Sequence, residues 1–333
     1  MGSNATSTGA DPDVHGRRPP WPEALRSTRA KDDANRQGDR VVRLHLVDGT
    51  FELFRAHFSP GPSRTAAGRD VKATVGVARS LLALLGDPDE QVTHLAVAFD
   101  NPIESWRNDV FPGYKDGSGI EPELLAQFDL VEEAVAALGF TVWSMDRHEA
   151  DDALATAAVR WAGDVDQVRI LTPDKDLGQV VSGRRVVQVD RMRRREFDQD
   201  GVVARLGVAP ESVPDYLALV GDTADGIPGL PGWGAKSTAA VLSHYGHLED
   251  VPDAAEDWDV TVRGAARLAA TLAGARADAE LYRRLARLDL DVDLGTELAD
   301  MRHRGVPDEA AAFFGDLEWD VTGSLPDRGD GSS

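Results

Sequence analysis

Three apolar runs in this chain each stop on an aspartate. Val41-Val-Arg-Leu-His-Leu-Val47 ends at Asp48, His94-Leu-Ala-Val-Ala-Phe99 at Asp100, and Val168-Arg-Ile-Leu-Thr-Pro173 at Asp174. Short β-branched runs separated by helical stretches predict strands of a parallel sheet, and open α/β sheets hold their ligands at the carboxyl edge. Three carboxylates then converge on one edge. Glu149-Ala-Asp151-Asp152, Asp176, and Asp222 with Asp225 add to them. Mutual repulsion forbids so many ionised acids in one cleft unless hard divalent cations are bound there, so the pattern points to a metal site.

Composition narrows the rest. A chain of 333 residues that is 42% hydrophobic has enough material for one large α/β domain with a smaller appendage. With no Cys there are no disulfides, thiolate zinc sites or cysteine nucleophiles, which fits a reducing compartment. No apolar stretch reaches the roughly 20 residues of a membrane helix, and Met1-Gly-Ser-Asn-Ala-Thr-Ser7 lacks a signal peptide's regions, so the expectation is a cytoplasmic protein. The net charge of −21, from 36 basic and 57 acidic residues, has the wrong sign for bulk attraction to nucleic acid. Any nucleic-acid contact must then rest on local patches. Candidates are the run Arg184 to Arg195 and the arginines from Arg263 to Arg287, although such runs are more often solvated faces.

Residues 1–40 are rich in Gly, Ser, Pro, Asp and Arg, the composition of a disordered tail. Strand and helix patterns alternate from Val41, with helices expected over Thr74 to Leu85, Pro122 to Leu138 and Glu149 to Trp161, and a β-hairpin over Arg185 to Phe197. The remainder to about Leu290 reads as helical, broken only at Gly226 to Gly234, and the end fades from about Thr322.

Magnesium or manganese suits an all-carboxylate site better than zinc does. Two such ions about 4 Å apart can hold a phosphate, activate water and stabilise the leaving oxygen. Glu149 and Asp152 at i, i+3 share a helix face, and the same logic joins Asp222 to Asp225. Asp174 and Asp176, two apart at a strand end, point one way while Lys175 points elsewhere. In an acidic chain a single Glu-Ala-Asp-Asp is usually a solvated face, but acids terminating buried strands are costly unless used. In Gly229-Leu-Pro-Gly232-Trp-Gly234-Ala-Lys236-Ser237, the glycines permit a tight turn between helices, the next helix offers free N–H groups to a phosphate, and Lys236 adds charge. A helix-hairpin-helix of this kind grips a nucleic-acid backbone without reading bases.

Together, Asp48-Gly-Thr with Arg55, Phe99-Asp100, Tyr114-Lys115, Glu149-Ala-Asp-Asp152, Thr172-Pro-Asp174-Lys-Asp176 and Gly221-Asp-Thr-Ala-Asp225-Gly-Ile-Pro-Gly-Leu-Pro-Gly-Trp-Gly-Ala-Lys236 closely resemble the bacterial 5′-nuclease family, that of the 5′-to-3′ exonuclease domain of DNA polymerase I and the flap endonucleases. The resemblance spans about Val41 to Leu294, with no polymerase-sized extension after it, as in a free-standing nuclease. It implies an α/β fold: a mostly parallel central sheet flanked by helices, a PIN-like 5′-nuclease core over 41–196 with an arch at about 106–128, a helix-hairpin-helix subdomain over 197–294, and a C-terminal extension, partly disordered, over 295–333. The implied activity is metal-dependent 5′-to-3′ exonuclease or flap-endonuclease cleavage of branched, nicked or 5′-ended DNA in replication and repair, by a monomer associated with the nucleoid.

The resemblance implies metal-site roles for Asp48, Asp100, Glu149, Asp151, Asp152, Asp174, Asp176, Asp222 and Asp225, catalytic roles for Lys115 and Arg107, and DNA-binding roles for Gly229, Gly232, Gly234, Lys236 and Ser237. It also implies two or more Mg2+ or Mn2+ ions, with K+ at the hairpin. Three features depart from the family pattern. Ser118 stands where a second arch cation is expected, with no Lys or Arg from Asp116 to Asp129; Pro173 replaces a Gly, and Gly226 an Asn. Lost arch cations suit a junction-binding protein with decayed chemistry, and retained acids without need of the hairpin suit a two-metal phosphatase or an RNase H-like enzyme acting on RNA–DNA hybrids.

Overall fold

The computed structural model describes residues 41–325, so the expected tail over 1–40 and the last eight residues lie outside the described residues. Strand β1 (Arg43–Asp48) leads into helix α1 (Gly49–His57), and a short antiparallel pair, β2 (Thr65–Ala66) and β3 (Arg69–Asp70), into α2 (Lys72–Gly86). Next come β4 (His94–Asp100), α3 (Trp106–Val110), α4 (Pro122–Leu125), α5 (Phe128–Ala137), β5 (Thr141–Met145), α6 (Ala150–Trp161) and β6 (Gln167–Leu171). A 3-10 turn (Lys175–Val180) precedes the hairpin β7 (Val186–Asp190) and β8 (Arg195–Phe197).

The sheet order is β5-β4-β1-β6-β7-β8, parallel throughout except for the antiparallel edge strand β8. Between its ends β4 is an apolar run without polar alternation, as a parallel strand covered on both faces requires, whereas β1 and β6 carry Arg43, His45, Gln167 and Arg169 at alternate positions. One face packs against α1, α2 and α5 through Val47, Leu53, Leu81, Val97, Phe99 and Val131; the other packs against α6 through Leu44, Leu46, Ala96, Leu154 and Ile170. Burying each of these leucines contributes about 1.5–3 kcal/mol. Because β4 and β6 flank β1, with Asp48 paired to Ala98 and Val47 to Leu171, the ends of β1 and β4 and the segment after β6 meet on one edge.

A third core belongs to the helices that follow: α7 (Gln199–Leu206), α8 (Val213–Val220), α9 (Ala235–Tyr245), α10 (Ala265–Gly274) and α11 (Arg276–Ala286), packed around Leu217, Leu219, Trp233, Val241, Leu268 and Leu272. Beyond them the chain returns along the sheet domain, and α12 (Ala310–Asp316) seats Phe314 in the first core. No helix of the described residues is long and apolar enough to cross a membrane.

Several local expectations shift. The helix foreseen over Pro122 to Leu138 is broken between α4 and α5 at buried Gln127, whose side-chain Oε1 accepts from the Thr74 N–H in the first turn of α2. The third apolar run pairs only to Leu171: Pro173 has no N–H for a ladder, and Asp174 caps the 3-10 turn by accepting from the Asp176 N–H. The region after Phe197 is less continuously helical than its composition suggests, with 3-10 turns and loops from Gly246 to Gly264. The end, expected to fade from Thr322, carries a short 3-10 turn over Thr322–Ser324.

Candidate active site

Acids from five chain segments meet at the carboxyl edge of the sheet. Asp48 ends β1 and also caps α1: its Oδ1 accepts from the Phe51 N–H at 2.8 Å and its Oδ2 from the Thr172 hydroxyl at 2.9 Å. Asp100 ends β4, accepting from the Ala150 N–H at 2.7 Å, so the start of α6 is tied to it. Glu149 precedes α6, with Oε1 receiving the Ser105 hydroxyl at 2.9 Å and Oε2 the Tyr114 hydroxyl at 3.3 Å. Asp174 and Asp176 sit at the 3-10 turn, and Asp222 and Asp225 in the turn after α8. The i, i+3 spacing suggested a helix there, but the segment is a non-helical turn, closed by an isolated bridge between Asp222 and Ile227.

Electrostatics binds these groups into one cluster. Burial, reinforced by Asp100 and Asp174, pushes the Asp48 carboxyl up to about 7 despite its hydrogen bonds. Asp151 is raised well above the ordinary carboxylate range, by burial first and then by Asp48, Asp174 and Asp100. Asp176 is raised likewise, by burial and by Asp174, Asp225 and Asp222. Asp100 and Asp225 rise too, chiefly through burial, with Glu149 adding to both. A cleft whose acids resist ionisation in this way is stabilised by cations.

Two cations of the chain itself enter it. Lys115 Nζ bridges Glu149 at 3.0 Å and Asp225 at 3.1 Å. Burial opposes its charge, but Glu149, Tyr114, Asp225 and Asp100 hold its ammonium well above the usual lysine range. Lys175, expected to point away, instead pairs with Asp222 and lies 3.4 Å from Asp176. The strand alternation behind that expectation has already ended at Leu171.

The donors fit hard divalent ions. One carboxylate oxygen from each of Asp176, Asp222 and Asp225 lies within 4.8 Å of the other two, no His or Cys belongs to that group, and the buried Asp176 Oδ1 has no hydrogen-bond partner. Oxygen-only donors of this kind suit magnesium or manganese.

Asp152 and Arg107 take a different place from the one expected. Both are fully buried and bind each other: Arg107 and the N–H groups of Glu149 and Asp289 take up both Asp152 oxygens, and Arg107 Nη1 also lies 3.4 Å from the cleft acid Glu149. Three residues without a site role in the sequence reading, Thr172, Ser105 and Lys175, each hold one of the acids; the short Ser105-to-Asn108 capping pattern marks one of them, and nothing local marks such contacts for the others.

The hairpin residues divide as well. Gly229 is buried, and a Cβ there would lie 2.5 Å from the Gly221 nitrogen, so it packs the turn rather than facing outward. Gly232, at φ +87°, and Gly234 are exposed beside Lys236 at the start of α9. Ser237 Oγ donates to the Gly234 carbonyl and accepts the Gly234 N–H, closing that helix start. Four of the arginines in the two runs are engaged within the chain: Arg185 donates to the carbonyls of Ala162 and Val165, Arg193 pairs with Asp190, Arg276 with Asp253, and Arg283 with Asp215 and Glu249.

Residues 43–207 match the model of the 5′-3′ exonuclease N-terminal resolvase-like domain, and residues 208–309 that of the 5′-3′ exonuclease C-terminal SAM fold. The chain belongs to the 5′-3′ exonuclease family. It is 32% identical over 257 residues to a 5′-3′ exonuclease of Aquifex aeolicus, covering 76% of this chain and 85% of that one. It is 36% identical over 288 residues to DNA polymerase I of Pseudomonas aeruginosa; that match covers 83% of this chain and 30% of the polymerase. Among solved structures, the bacteriophage T5 D15 flap endonuclease, crystallised with DNA and metal ions, aligns with a TM-score of 0.57 at 20% identity over 83% of this chain and all of that one. The mixed, mostly parallel sheet with flanking helices and a helical second unit is thus the family's fold, and the chemistry is that of a 5′-nuclease.

Proposed function

We propose that this 5′-nuclease cuts phosphodiester bonds at the 5′ ends, flaps or nicks of DNA, with magnesium or manganese ions held by Asp48, Asp100, Glu149, Asp151, Asp174, Asp176, Asp222 and Asp225. The observation that carries this reading is the convergence of those acids on one sheet edge with Asp176 Oδ1 buried and without a hydrogen bond. Bound there, the ions would activate water and neutralise charge on the leaving oxygen. The protein's own part is to fix the donors and add charge. The Phe51 N–H and the Thr172 hydroxyl hold both oxygens of Asp48, and the Ala150 N–H aims Asp100. Lys115, 28% exposed, is free to turn from Glu149 and Asp225 toward the phosphate, where a preorganised cation lowers the barrier.

Away from the cleft, the exposed start of α9 with Gly232, Gly234, Lys236 and Ser237 offers N–H groups and one charge to a duplex backbone, and K+ would suit the turn's carbonyls. The T5 flap endonuclease complex with DNA and metal ions supports the same reading. The test is cleavage of a 5′-flap, a nicked duplex and an RNA–DNA hybrid in Mg2+, in Mn2+ and in EDTA. Metal-dependent cutting of flap or nick is expected; full activity in EDTA sinks the proposal.

A further inference from the structure

Eight acids share the cleft, yet Asp222 and Asp176 are each less than a tenth exposed. Something must offset that concentration of charge before any metal arrives, because burying unpaired carboxylates is costly. Lys175 does so from within the acidic stretch itself. Its Nζ pairs with Asp222 Oδ2 and sits 3.4 Å from Asp176 Oδ1, the same oxygen that no hydrogen bond satisfies. Asp176, Asp222 and Asp225 are also the three acids whose oxygens are close enough together for one ion. Lys175 therefore reaches into a position suited to a divalent cation.

We propose that Lys175 is the built-in counter-ion of the Asp176, Asp222 and Asp225 position, occupying it in the metal-free protein and competing with the divalent ion that binds there. This rests on reading the cleft as a metal centre. The local geometry makes the exchange feasible. Lys175 opens a 3-10 turn that Asp174 caps, so its backbone is held while its four-carbon stem rotates. Its side chain is 30% exposed and has a route to solvent. An ammonium is a compact point charge on a flexible stem, unlike a guanidinium locked by a planar fork. An ammonium and a divalent cation repel at such short range, so they cannot share the three carboxylates. Lys115 differs in origin and place: it comes from the arch and bridges Glu149 to Asp225, leaving Asp176 and Asp222 to Lys175.

The experiment is calorimetric titration of the metal-free full chain with MnCl2, together with thermal melts with and without Mn2+, for wild type, Lys175→Met and Lys175→Arg. Methionine keeps much of the stem and removes the charge. For Lys175→Met the weaker of two binding steps should tighten roughly tenfold or more, the metal-free melting temperature should fall, and the rise on adding Mn2+ should exceed that of wild type. Lys175→Arg keeps the charge and should bind no more tightly than wild type. Unchanged affinities and an unchanged metal-free melt in Lys175→Met overturn the proposal, as does weaker binding, which would make Lys175 a partner of the ion. If Lys175→Met does not fold, Lys175→Gln is judged by the same outcomes. A wild type that takes up no Mn2+ overturns the metal reading itself, whereas two ions in wild type with no response in the variants overturn this inference alone.

Discussion

Arg107 and Asp152 form a doubly hydrogen-bonded ion pair, Nη1 to Oδ2 and Nη2 to Oδ1, both at 2.7 Å. Arg107 Nε also donates to the Leu285 carbonyl at 2.8 Å and Nη2 to that of Arg287 at 3.1 Å, while Asp152 accepts the N–H groups of Glu149 at 3.0 Å and Asp289 at 2.9 Å. The pair thus joins α3, the start of α6 that carries the cleft acids, and the end of α11 in the helical unit. Arg107→Gln should cost about 3–5 kcal/mol of stability, since it leaves Asp152 buried without its cation. Urea denaturation reads this directly. Wild-type stability with a defect confined to cleavage would return Arg107 to the substrate.

Asp176→Asn should abolish cleavage and preserve binding of a 5′-flap, because it removes a charged donor without adding bulk and lowers repulsion toward DNA. Saturating Mn2+ at a hundred times its dissociation constant should stabilise the wild type by about 2.7 kcal/mol, and the variant by less. Gel shifts and melts with and without Mn2+ check both, and an active Asp176→Asn protein would refute the assignment.

Lys115→Ala should lower the cleavage rate roughly 10²-fold or more, the scale of losing one preorganised cation near a reacting phosphate. Ser118, whose N–H is bound by Asp116 Oδ1 on an exposed loop, lies three residues after Lys115. Ser118→Arg should speed cleavage by restoring a cation there. Single-turnover rates on a 5′-flap decide both, and an inert Ser118→Arg change would mean that this arch positions substrate through Lys115 alone.

In the hairpin, Gly232→Val should weaken duplex binding, because a β-branched residue is strained at φ +87° and its Cβ would press on the Arg267 guanidinium at 3.2 Å. Gly234→Ala should fold normally, since a Cβ there meets open space. Lys236→Ala should weaken binding evenly across sequences and reduce the salt slope by about one, the mark of a phosphate contact. Anisotropy titrations at several salt concentrations report all three, and unchanged affinities would remove the hairpin from the DNA interface.

Two groups outside the cleft each lose stability on acidification, one stage apiece, against the gain from the cleft acids that burial holds above the carboxylate range. Burial drives the His45 imidazole below its usual 6.5, so the folded state keeps it neutral and loses stability as the pH drops through 6.5. Burial opposes ionisation of Glu90, yet hydrogen bonds with His45 and Arg169 and the Arg169 charge bring its carboxyl from 4.5 down to about 2. Its contribution is complete above 4.5 and vanishes as the pH approaches 2, at most about 3 kcal/mol. Glu90→Gln should flatten the second stage in pH-dependent melts; an unchanged profile would show that Glu90 is not its source.

The sheet and its acidic edge were legible in the sequence because hydrophobic runs and their periodicity are local, and a run ending in aspartate places that aspartate at a strand end wherever the strand lies. That reasoning located Asp48 and Asp100, and the hairpin's Gly and Lys pattern located the start of α9. It could not tell which acids stay open and which are consumed. Asp151 and Asp152 are adjacent on α6, yet one faces the cleft and the other is filled by an arginine 45 residues away and an amide 137 residues away. Lys175 points inward only because the chain has left its strand and Asp222, 47 residues on, is waiting there. Such pairings depend on which distant segments the folded cores press together. A buried charge takes whatever partner that packing supplies, and no local pattern encodes it.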